Sequence, residues 1–173
     1  MLTFWIEQSV KDAANRGGIN LEEPDSIVEN FQAESTDVSG TTRYRLTAER
    51  LRHYSDNKLT LLDNPSLTHI HDKQGEMKIS SRTASVSPEG EKVVFSGEVN
   101  FLRPANGGRS ELSLRTSQLD VLTQKSQVMT NEPVTIQQPG LQITANGLHL
   151  YGNTRVLKLK GRVKARYQNA KRA

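Results

Sequence analysis

Residues 141–163 read LQITANGLHLYGNTRVLKLKGRV, and their phase decides the fold. Ile143 and Ala145 are two apart, as are Leu148 and Leu150, so each pair lies on one face of a strand. The step from Ala145 to Leu148 is three residues, and an odd step turns a strand over unless one extra residue is absorbed. A β-bulge absorbs it and bends the strand. Asn146 and Gly147 stand at that step and both tolerate positive φ, so the bend is expected there. After a turn at Gly152–Asn153, Leu157, Leu159, Gly161 and Val163 alternate with Lys158, Lys160, Arg162 and Lys164. That is a second strand with one apolar and one cationic face.

The same unit recurs three times upstream. Leu46, Ile79 and Leu114 correspond to Ile143, and Ala48, Ser81 and Thr116 to Ala145. Leu51, Ala84 and Leu119 correspond to Leu148, and His53, Val86 and Val121 to Leu150. A second strand ends each copy at Leu67, Val99, Val134 and Val163, which lie 21, 20, 20 and 20 residues beyond the anchors. The chain is thus four bent hairpins in series. Turn clusters such as Ser87–Pro88–Glu89–Gly90 and Gln138–Pro139–Gly140 separate the strands, and no helical period interrupts them between Asp25 and Tyr167. Bends repeated at one level curl a sheet, so the expected fold is all-β: a twisted, half-open roll with an apolar inside, not a flat sandwich. Gly97 and Gly161 fall at equivalent places, where a bend or a close approach leaves no room for a side chain.

A chain of 173 residues suits one domain. Its apolar share is only 34%, which strands wet on one face explain without disorder. The absence of cysteine excludes a disulfide scaffold, thiolate catalysis and cysteine zinc sites. The net charge of +4 is composite: eight of the 23 Lys and Arg lie in residues 154–173, which hold no acid, leaving 15 basic against 19 acidic residues, or −4, before them. Residues 11–24, with Gly17, Gly18 and Pro24 and no periodicity, read as a tether, and residues 168–173 as a basic tail. Within residues 1–10, five of the six side chains from Met1 to Ile6 are apolar and Trp5 stands near the polar boundary. Two readings fit this run: the exit end of a membrane helix, or a frayed amphipathic start.

No nucleotide-binding, nucleophile-elbow or zinc-protease motif is present, and the carboxylates are scattered, so no general acid/base pair or nucleophile can be named. His69 and His71 share a strand face and could join His53 or His149 in a metal cluster. Two histidines at that spacing are more often ordinary strand residues, so neither metal nor cofactor is expected. The cationic strand has three readings. It is a solvated edge that deters unwanted pairing, a nucleic-acid surface lacking the interleaved aromatics such surfaces use, or a rim meeting an anionic lipid head group.

Several runs, in order, carry a family resemblance: Tyr44–Arg45–Leu46–Thr47–Ala48–Glu49, His53–Tyr54–Ser55–Asp56, Asn64–Pro65–Ser66–Leu67, Ala84 to Gly97–Glu98–Val99, then Arg115–Thr116 and Leu119. Over residues 25–167 their order and spacing resemble the LptC family of lipopolysaccharide export components. The resemblance implies a twisted, boat-shaped, half-open β-jellyroll like that of LptA, in the periplasm, anchored in the inner membrane by one N-terminal helix and working without catalysis. Residues 1–10 would be the end of a truncated anchor. Such a protein accepts lipopolysaccharide from the LptBFG transporter and passes it to LptA. The N-terminal strand, with Ile27, Val28, Phe31 and Gly40, would meet LptF and LptG, together with the anchor. The C-terminal strand, with Arg155, Lys158, Lys160, Arg162 and Lys164, would meet LptA. No nucleic acid is implied.

The candidate lipid-facing interior is Tyr44, Leu46, Leu51, Leu61, Leu67, Ile79, Val93, Phe95, Val99, Phe101, Leu114, Leu119, Val134, Ile136, Ile143, Leu148, Leu157, Leu159 and Val163. For each residue singly, plain core packing is the competing reading; a groove is a property of the set. Two other functions remain open: a soluble LptA-like bridge, and a carbohydrate- or anion-binding β-domain that uses the basic strand.

Overall fold

The computed structural model describes residues 24–36, 38, 40–55, 58–71, 75–152, 154 and 156–167. The anchor end, the tether up to Glu23, Arg155 and the tail from Gln168 lie outside these residues. The strands are β1 (Ser26–Thr36), β2 (Thr42–Tyr54), β3 (Leu59–Asp63), β4 (Ser66–His71), β5 (Gly75–Ser80), β6 (Thr83–Val86) and β7 (Lys92–Arg103). They continue as β8 (Leu112–Leu122), β9 (Gln127–Thr130), β10 (Val134–Gln138), β11 (Leu141–Ala145), β12 (Gly147–Tyr151), β13 (Val156–Lys160) and β14 (Lys164–Tyr167). Every strand pairing is antiparallel, and all the strands belong to one sheet.

That sheet is folded into two layers because each long strand changes partner halfway. The first half of β2 pairs with β4 and its second half with β3. Strand β7 pairs with β6 and then β5; β8 pairs with β10 and then β9. The first layer therefore runs β2, β4, β5, β7, β8, β10, β11, β14, and the second runs β2, β3, β6, β7, β8, β9, β12, β13. Strand β1 lies along β2 over both.

The repeat anchors form the inner rows of these layers. Across the first layer the register aligns Leu46, Leu67, Ile79, Phe101, Leu114, Ile136, Ile143 and Ala165. Across the second it aligns Val28, Leu51, Leu62, Ala84, Phe95 and Leu119, with Thr130, Leu148 and Leu159 continuing the row. The side chains of the two layers meet in two apolar clusters. One centres on Leu51, Leu62, Phe95, Val99 and Leu119, the other on Leu114, Val134, Ile136 and Leu148, and Phe101 packs against both.

The crease between the layers lies at the odd step, but its backbone differs from expectation. Positive φ falls on the facing strands, at Asn30, Asn64, Gly97, Glu98, Gly161 and Arg162, and not at Asn146 or Gly147. Gly147 is required for another reason: a Cβ there would stand 3.0 Å from the Thr130 carbonyl oxygen. Backbone bonds hold the crease together, with Asn64 N–H donating to Arg82 O and Arg82 N–H to Gly97 O, both at 2.8 Å. Two further readings are corrected. In the first repeat the counterpart of Val99, Val134 and Val163 is the buried Pro65 rather than Leu67, because Leu67 stands directly opposite the anchor Leu46. In β3 it is Leu62, 1% exposed, that enters the core. Leu61 stands between Arg52 and Ser85 on the outer face, because the phase slip at Asn64–Pro65 shifts the alternation by one.

Phe95 is fully buried where the inner rows meet, so Phe95→Ala should lower the free energy of unfolding in urea by about 3–5 kcal/mol. Gly97→Ala, with φ +75° and its new Cβ 3.1 Å from that of Arg82, should cost about 1–2 kcal/mol. The exposed control Lys78→Ala should stay within about 0.5 kcal/mol.

Candidate functional site

The distinctive feature is the apolar inner face shared by the two layers. Its floor is closed by the protein's own side chains: Leu51, Ile79, Phe95, Val99, Leu114, Leu119, Val134, Ile136 and Leu148 are all buried. Leu46, Leu67, Val93, Phe101, Ile143 and Leu159 are partly buried and pack against that floor. Nearer the free ends of the strands the face opens. Along the second layer one lip runs through Val86, Val93, Val121, Val128, Leu150 and Leu157 in continuous register. On the first layer the lip begins with Tyr44, 40% exposed and stacked on His69 at 4.5 Å. Val128 and Leu112 were missed from sequence, and the signal for Val128 is its register with Val121 and Leu150.

The inner face is least covered at the last strands. Leu157 and Val163, the latter between β13 and β14, are about half exposed and Tyr167 is 81% exposed, and among the described residues no further strand lies beyond β13 and β14 to cover them. Among the described residues these strands and β1 are the free edges of the sheet, each with hydrogen bonds to one neighbour only. Of the predicted N-terminal edge residues, Ile27 faces outward at 57% exposure, whereas Phe31 packs into the core. Across the positive φ of Asn30 an odd step sets Val28 opposite Leu51 and Phe31 opposite Ala48, with Val28 at the edge still 37% exposed. Gly40 lies in the turn joining β1 to β2, at φ +83° with open space around it, and not along the edge itself.

Strand β1 is fastened at both ends by carboxylates. The Ser55 backbone N–H donates to Asp25, and Arg45 Nε donates to Glu34 at 2.7 Å with Thr42 Oγ1 adding a second bond at 3.2 Å. These donors stabilise the ionised forms and hold both carboxyls below their ordinary pKa values; the Glu34 partner Arg45 is raised in turn. Two concavities, of about 360 and 320 Å³, lie at the crease around Glu49 and Asn64; the first is lined by polar side chains, the second also by Phe31 and Ala48. Among the described residues no three His, Asp or Glu side chains gather as a metal site, and no helix is long and apolar enough to cross a membrane.

By fold this is a β-jellyroll of the LptA type. Among solved structures, that of LptH from Pseudomonas aeruginosa matches with a TM-score of 0.58 at 11% identity, covering 72% of this chain and 94% of that one. LptH is described as the LptA-homologous periplasmic component of the conserved lipopolysaccharide transport device. No curated protein matches the chain in sequence. The family of lipopolysaccharide-assembly proteins related to LptC matches residues 1–168, and the chain belongs to the LptC family. It is therefore a non-enzymatic component of lipopolysaccharide transport.

The fastening of β1 has a pH signature. Because the folded pKa values of Asp25 and Glu34 are depressed, their contribution is fully present above the unfolded values of 3.8 and 4.5 and is lost as pH falls through the lower folded values. Hydrogen exchange corrected for its intrinsic pH dependence should show β1 amides losing protection below about pH 4, before those of β7. Glu34→Gln should show the weakened β1 already at pH 7.

Proposed function

We propose that the protein takes lipopolysaccharide from an inner-membrane transporter of the LptBFG type and hands it, without chemistry, to a periplasmic bridge of the LptA type. The observation that carries this reading is the apolar inner face, continuous in register from β1 to β13 and β14 and bounded at both ends by a free edge. Each methylene of an acyl chain buried there is worth roughly 0.8 kcal/mol, so several chains are held without a covalent bond. The floor leaves no room between the layers, so acyl chains enter at the lips and part them. The free edges suit strand addition, in which main-chain bonds join two sheets into one longer surface. In this reading β1 receives the transporter side and β13–β14 receive the bridge, and the segment before residue 24 anchors the domain at the inner membrane.

A photo-crosslinking amino acid at Leu159 or Val121, on the inner face, should label lipopolysaccharide in cells. One at Ser85 or Gln118, on the outer face of the same layer, should not. Labelling from the outer positions alone would overturn the reading.

A further inference from the structure

Several outer-face cations of the first strands are ion-paired. Arg45 meets Glu34, Arg52 meets Asp63 and Lys92 meets Asp120, each at 2.7 Å. The last strands concentrate cations that face no carboxylate. Lys158 stands opposite His149, Lys160 opposite Gly147, Lys164 opposite Thr144 and Arg166 opposite Gln142. All four are exposed, and no ion pair among the described residues joins any of them to a carboxylate. They form two pairs, Lys158 with Lys160 on β13 and Lys164 with Arg166 on β14, with about 7 Å between the two charges of each pair and the crease at Gly161–Arg162 between the pairs. The first pair is anchored: Lys158 Nζ lies 5.2 Å from the centre of the Tyr151 ring, which stacks on His149 at 3.9 Å.

Cations of a single sign could serve any polyanion, but the other face of the same two strands narrows the choice. There Leu157 and Tyr167 are exposed and apolar, one backbone thickness away from the cations and at a free edge. An acidic protein surface matches only the outer face. A molecule carrying acyl chains and phosphates on one small scaffold matches both. We infer that the outer face of β13–β14 binds the phosphate groups of the lipopolysaccharide head group while the acyl chains rest on the inner face of the same strands. This rests on the function proposed above and adds recognition of the head group to it. The charged groups then meet cations at the exit edge instead of being carried across bare protein surface.

The test uses the whole chain and its Lys158→Gln, Lys160→Gln, Lys164→Gln, Arg166→Gln variant, with bisphosphorylated lipid A and fully dephosphorylated lipid A as probes. The wild type should prefer the phosphorylated lipid by at least about tenfold, with a preference that weakens as salt rises. The variant should lose that preference, keep its affinity for the dephosphorylated lipid and melt like the wild type. A variant that retains the preference overturns the inference, as does a wild type that binds both lipids equally; in either case the acyl-chain reading stands. Binding to poly-glutamate that depends on these four cations, without discrimination between the lipids, assigns them to an acidic protein and also overturns it. A wild type that binds neither lipid overturns the proposed function and this inference together.

Discussion

The structure depends on the crease. A strand that must present apolar side chains to the same interior on both sides of a bend has to slip its alternation by one residue there or hold its phase through a distorted backbone. Both solutions are used. β1 slips at Asn30 and β3–β4 at Asn64–Pro65, whereas β7 keeps Phe95 and Val99 inward by passing through positive φ at both Gly97 and Glu98. Because the main-chain bonds continue through this zone, the two layers are one sheet folded on itself, and the apolar rows of four repeats become one continuous surface.

That surface has an unequal covering. Near the crease it is a packed core with Leu62, Phe95 and Val99 essentially inaccessible, while toward the lips and the last strands it is half exposed. A closed barrel would have neither lips nor free edges. The folded sheet retains both, at the cost of leaving Val163 and Tyr167 without a covering strand among the described residues. The electrostatic design is likewise uneven: ion pairs knit β1 to β2 and β2 to β3, and the last two strands carry four exposed cations that face no carboxylate.

Much of this was legible in the sequence, since a period of two with one odd step is a backbone statement written in side chains. The anchors Leu46, Ile79, Leu114 and Ile143 do share one row, and Leu51, Ala84, Leu119 and Leu148 another. What failed was the location of the slip on the facing strands. Leu61 and Leu62 are equally apolar, and only pairing with Leu51 and Ala84 selects Leu62. Positive φ was expected at Asn146–Gly147 from residue type, yet Gly147 is there for close approach to Thr130, a tertiary contact that local sequence does not encode. The sequence leaves groove lining and plain core packing as competing readings of each interior residue. Burial of nine of the candidate residues shows that side-chain volume, which alternation does not report, closes the floor of the groove.

The central claim is that this closed floor gives way when acyl chains enter between the layers. The chain has no cysteine, so Lys125→Cys and Gln137→Cys place a single spin-label pair near the tips of the two layers without interference. Electron–electron distance measurement with and without lipopolysaccharide then reads the gap directly. The account predicts a shift to longer distances on lipid binding, reversed when the lipid is removed. An unchanged distance distribution on protein with lipopolysaccharide bound would contradict it.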